Sequence, residues 1–160
     1  GDTAAGLATK QGLDAYAGHL AYTTDNYGLS VTGARIETSE TEDDTFTALN
    51  AFFSPEEGGL PSISVGYEWG DDGSAASTAD ETSSYFVGLQ WDELGEGVFG
   101  IAAGTHTPVI ENDDHLMMYE AYYSYPINDG ITITPLIYTK DMAAGTDDQT
   151  GVMVKTSFSF

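Results

Sequence analysis

Twenty-six carboxylates against four cations give the 160-residue chain a formal charge of −22, so carboxylate chemistry is the first to weigh. Glu42-Asp43-Asp44, Asp71-Asp72, Asp80-Glu81, Glu111-Asn112-Asp113-Asp114 and Asp147-Asp148 offer the oxygen ligands that hard cations prefer. None has the glycine and twelfth-position glutamate of an EF-hand loop. They read as a solvated acidic surface that attracts cations at long range without a specific site. The histidines are His19, His106 and His115. The last two flank one acidic stretch and could approach each other there, but no ligand set is expected from them. Gly-x-Ser-x-Gly, His-Glu-x-x-His and phosphate-loop patterns are all missing, so no enzyme, metal or cofactor chemistry is expected. With no cysteine, thiol catalysis, disulfides and zinc ribbons are excluded. The four scattered cations Lys10, Arg35, Lys140 and Lys155 cannot build the basic face that nucleic acid requires.

The segments that carry these residues alternate with period two. Ser62 to Trp69 places Ile63, Val65, Tyr67 and Trp69 on one face and Ser62, Ser64, Gly66 and Glu68 on the other. Ser84 to Trp91 does the same with Tyr85, Val87, Leu89 and Trp91. Thr150 to Phe160 sets Val152, Val154, Phe158 and Phe160 against Met153, Lys155, Ser157 and Ser159. Six further strands are expected at about 14–24, 27–37, 45–53, 97–105, 115–125 and 130–140. Pro135 lies inside the last, which suggests a bulge or weakly paired position. About ten residues per strand is long for a soluble sheet, and it matches the roughly 9–11 residues of a tilted membrane-crossing strand. No apolar run approaches a transmembrane helix.

The connections alternate too. Turns rich in Gly, Asn, Asp and Pro fall near 25–26, 54–59, 94–97 and 128–130. Longer acidic connections cover 38–44, 71–81, 106–114 and 141–149 and hold 14 of the 26 carboxylates. In an up-and-down antiparallel meander, all four long loops collect at one end. Short turns at one mouth and long loops at the other is the pattern of outer-membrane barrels.

The stretch Met117-Met118-Tyr119-Glu120-Ala121-Tyr122-Tyr123-Ser124-Tyr125-Pro126-Ile127-Asn128-Asp129-Gly130-Ile131-Thr132-Ile133-Thr134-Pro135 resembles a strand-turn-strand of cyanobacterial porins of the OprB-like, carbohydrate-selective superfamily, many of them iron-uptake porins. Gly151 to Phe160 resembles that family's closing strand, with Lys155 where the family usually has Arg, and Gly88 to Gly100 also fits. The likeness is clearest over 82–160. It implies a barrel of roughly sixteen strands behind a periplasmic S-layer-homology domain. Residues 1–160 are therefore expected to be a single C-terminal portion of an all-β outer-membrane barrel, about nine strands of it, lacking the N-terminal strands and that domain.

The expected function is passive diffusion of small hydrophilic solutes or ions, including sugars, inorganic ions and iron, through a water-filled channel in the outer membrane of a Gram-negative-type envelope. Arg35, Glu68, Gln90, Glu120 and Lys155 are the pore-lining candidates. Tyr67, Trp69, Tyr85, Trp91, Tyr119, Tyr123 and Tyr125 are the candidates for interfacial aromatic belts. Phe158 and Phe160 are expected, as the resemblance implies, to be the signal read by barrel-assembly machinery. The other partners are outer-membrane lipid and the permeating solutes, and a homo-oligomer is left open. Two alternatives remain: from the residues, a soluble secreted acidic β-sandwich that binds ligands, and, through the domain the resemblance implies, a structural link between outer membrane and cell wall.

Overall fold

Strict alternation with few helix formers leaves backbone polar groups to be satisfied between strands rather than within them. The computed structural model describes residues 13–39, 42–56, 59–73, 81–106, 109–110 and 115–159. Nine long strands form one antiparallel meander: β1 (Ala15–Thr23), β2 (Tyr27–Glu37), β3 (Asp43–Phe53), β4 (Ser62–Asp72), β5 (Glu81–Leu94), β6 (Gly97–Thr105), β8 (Met117–Asn128), β9 (Ile131–Lys140) and β10 (Gln149–Phe158). Each pairs with its sequence neighbour, and β1 and β10 are the two edges. A two-residue strand that the sequence did not suggest, β7 (Val109–Ile110), lies in the third long loop and pairs with Thr82 and Ser83 of β5. The described residues contain no helix and no second sheet.

Local chemistry sets the four tight turns. Thr24 closes the first, its N–H and hydroxyl both donating to the Tyr27 carbonyl at 2.8 and 2.9 Å. Gly95, at φ 73°, supplies the left-handed residue between β5 and β6. The Asn128-Asp129-Gly130 turn closes the β8–β9 hairpin where the sequence places one. Gly130 stays out of the left-handed region, and its N–H donates to Asn128 Oδ1 at 2.9 Å. Pro135 pairs with Val154 on β10, while the β8 ladder skips Tyr123 and Ser124 opposite Pro135 and Thr134. The bulge falls instead between Pro126 and Asn128.

One layer has no interior. The described residues that reach the buried class are all glycines: Gly28, Gly66, Gly70, Gly97 and Gly100. Large apolar side chains stay in the open, with Leu49 48% and Val87 41% exposed in mid-strand. A sandwich would cover such residues with a facing sheet.

Candidate functional site

Directly paired residues in an antiparallel sheet share a face, so the register sorts every strand residue. Tyr67 pairs with Tyr85, Val65 with Val87, and Trp91 with Phe99. Tyr119 pairs with Ala103 and Tyr123 with Phe99. Tyr67, Trp69, Tyr85, Trp91, Tyr119, Tyr123 and Tyr125 therefore stand on one face, here the aromatic face. Glu68 pairs with Ser84, Gln90 with Gly100, Glu120 with Ala102, and Lys155 with Thr134. These four stand on the opposite, polar face.

Arg35 does not join them, and its expected place on the polar face is corrected. Strand β2 runs without a bulge, and Arg35 pairs with Tyr16 and Thr45 on the aromatic face. Its Nε bonds Asp43 Oδ2 at 2.6 Å beside the first long loop. The β2 sequence misleads because Gly33 and Ala34 interrupt the apolar alternation just before it. Phe158 falls on the aromatic face, opposite Ile131. Phe160 lies outside the described residues.

The aromatic face has a fixed layout. Toward the tight turns stand Tyr22, Tyr27, Phe53, Trp91, Phe99, Tyr123, Tyr125 and Phe158. Several touch, with Tyr22–Tyr27 ring centres at 6.2 Å, Trp91–Phe99 at 5.7 Å and Tyr123–Tyr125 stacked at 6.4 Å. Toward the long loops stand Tyr16, Tyr67, Trp69, Tyr85 and Tyr119, with Tyr67–Trp69 centres at 5.8 Å. Between these rims lie aliphatic residues such as Leu20, Val31, Leu49, Val65, Val87, Leu89, Ile101 and Ile137. Charged strand residues of this face, namely Arg35, Glu37, Asp43, Asp71 and Glu81, all sit at or beyond the loop-side rim.

Both rims cross the register obliquely. The row of paired residues that starts at Tyr27 passes through Phe53, Ile63, Leu89, Ile101, Ala121 and Ile137 and reaches β10 at Val152. The rim aromatic of β10 is Phe158, displaced along the strand toward the turns. The row from the loop-side Tyr119 runs through Ala103, Val87, Val65, Ala51 and Leu29 and reaches β1 at Tyr22. The loop-side aromatic of β1 is instead Tyr16. Each rim thus shifts about one residue per strand, in the same sense. On β1, β5 and β8 the rims keep one spacing, Tyr16 to Tyr22, Tyr85 to Trp91 and Tyr119 to Tyr125.

The polar face carries a pattern that sequence reasoning missed. Its strand aromatics are Phe46, Phe52, Phe86, Tyr122 and Tyr138. Each is paired directly with a glycine: Gly70, Gly28, Gly66, Gly100 and Gly151 respectively. A Cβ added at any of these glycines would run into the paired ring. The rings therefore lie down across the neighbouring strand, shielding backbone that glycine would leave bare. On the aromatic face, Gly18 and Gly33 pair with each other and face open space. Tyr122 shows what lying flat achieves. It crosses β6 above Gly100, and its hydroxyl donates to Gln90 Oε1 on β5 at 2.7 Å. Gln90 Nε2 then donates to Asp92 Oδ1 at 2.6 Å. A signal was present in sequence, since these aromatics interrupt otherwise small or polar half-strands, but their glycine partners lie 13 to 24 residues away.

The histidines are not gathered. His19 Nδ1 meets Thr32 Oγ1 at 2.8 Å, His106 Nε2 meets the Asp141 carbonyl at 2.9 Å, and His115 packs edge-on against Tyr85. Asp141 also accepts the Met117 N–H, tying the third long loop to the fourth. Among the described residues no three His, Asp or Glu side chains converge as a metal-binding group. No protein-family model, curated protein or solved structure matches the chain.

Proposed function

We propose that the chain is part of an outer-membrane β-barrel porin, its aromatic face turned to lipid and its polar face to a water-filled lumen, passing small hydrophilic solutes or ions by diffusion. The carrying observation is the pair of oblique aromatic rims. A membrane interface is flat, whereas barrel strands are tilted, so belts that follow the interface must climb through the register. One residue of about 3.4 Å per strand spacing of about 4.8 Å corresponds to a tilt of about 35°, inside the barrel range. Six residues then span about 20 Å along a strand and about 17 Å along the membrane normal, and outward-leaning rings widen this toward an apolar band of about 25 Å. Restricting charge on that face to the loop-side rim follows from the cost of charge in hydrocarbon.

The opposite face carries Glu68, Gln90, Glu120 and Lys155, which need water. In lipid the edges β1 and β10 also need partners, because every backbone N–H and C=O must be paired there. Further strands of a larger barrel, as in the OprB-like porins that the C-terminal half resembles, supply them in this reading. Trp69 and Trp91 belong to opposite rims, which provides the test. In vesicles, lipids brominated near the headgroup should quench both more strongly than lipids brominated near the chain ends, and planar bilayers should show stepwise conductance. A full-length protein that stays monodisperse in buffer beside vesicles, its tryptophans unquenched, refutes the reading.

A further inference from the structure

The polar face holds a shaped groove of ≈ 460 Å³ across β3 to β8, within the size range of small-molecule sites. Its floor is made of the small residues Ser64, Gly88 and Ala102, which follow one another in a single register row. That row ends in walls at Phe52 on one side and Glu120 on the other. Phe86, Gln90 and Tyr122 close the remaining sides. Gly88 lies midway between the rim residues Tyr85 and Trp91, so the groove sits at half height between the two aromatic rims.

The walls differ in chemistry. Phe52 and Phe86 cover Gly28 and Gly66 with one ring face, yet remain 40% and 46% exposed. Both rings also line the groove. Gln90 is committed to Tyr122 and Asp92, which fixes both groups. Among the described residues, Glu120 is the one charged side chain lining the groove. Ring faces carry negative quadrupole potential and attract cations, and a carboxylate adds a directed charge. An anion would meet repulsion from both.

We propose that this groove is a binding site for organic monocations that join an ammonium or guanidinium head to a flat apolar body, with the head at Glu120 and the body over Phe52 and Phe86. It rests on the reading that this face lines an aqueous lumen. No covalent step is involved. The probe is benzylamine, titrated into the detergent-folded chain while amide shifts of Gly88 and Ala102 are followed by NMR, with benzyl alcohol and benzoate as neutral and anionic controls. We expect saturable shifts at millimolar benzylamine, none with benzoate, and affinity weakened at least fivefold by Glu120→Gln and by Phe52→Leu. Equal binding of benzyl alcohol, unsaturable shifts spread over the sheet, or an unchanged affinity in both variants overturns the site. Conductance is recorded separately. An open pore without benzylamine binding defeats this site alone, whereas binding without conductance defeats the porin reading alone.

Discussion

Consider an arginine placed at Val87 and, separately, at Ser83. Both positions lie on the aromatic face of β5, four residues apart, with Val87 in the aliphatic band and Ser83 beyond the Tyr85 rim. In water Val87 is 41% exposed, and a substitution at so open a site costs within about 0.5 kcal/mol. Toward the middle of a bilayer the same arginine costs about 2–4 kcal/mol, falling to about 0–1 kcal/mol near the interface. Val87→Arg should therefore exceed Ser83→Arg by about 2 kcal/mol or more, roughly a thirtyfold change in folding equilibrium. With a urea dependence of about 2 kcal/mol per molar, the midpoint of Val87→Arg should fall about 1 M below that of Ser83→Arg. The assay is urea unfolding of the vesicle-inserted chain, followed by tryptophan emission and by cold gel mobility. Equal midpoints for the two variants would refute the assignment of this face to lipid, because only a depth-dependent solvent separates them.

Gly100→Val should destabilise the folded sheet by about 1–3 kcal/mol, since its side chain must displace Tyr122 from its bond to Gln90, whereas Gly18→Val, on open space, should be neutral or better in the same melt. Deleting Phe160 should cut the yield of heat-modifiable protein in the outer-membrane fraction, and leave conductance normal in whatever inserts. If the porin reading holds, the 14 carboxylates of 38–44, 71–81, 106–114 and 141–149, five of them on strand ends, surround one mouth, and reversal potentials of the full-length protein should show cation preference at low salt that fades toward 1 M, where the Debye length is about 3 Å. Anion preference that survives neutralising those carboxylates would assign selectivity to the lumen wall instead.

Alternation alone determined much of this protein. The runs around Val65–Trp69, Tyr85–Trp91 and Val152–Phe158 have faces so unequal that only one register hides them together, so strand order, turn positions and the common face of seven aromatics were legible, whereas β4 and β5 run into the acidic stretch as far as Asp72 and from Glu81, where no alternation marks their ends. Strand pairing also followed, because tight turns leave a strand no nearer partner than the next one. Arg35 was not legible. A charge after two small residues has no periodic neighbour to fix its side, and only pairing with Tyr16 and Thr45 decides it. The five aromatic–glycine pairs and the groove over Ser64, Gly88 and Ala102 belong wholly to tertiary structure, because their members come from different strands. Period-two reasoning reports which face a residue takes, not which residue lies across from it. That second fact depends on register, and register turns on the length of each turn, where Asn128 and Gly130 chose a hydrogen-bonded bend over a left-handed glycine.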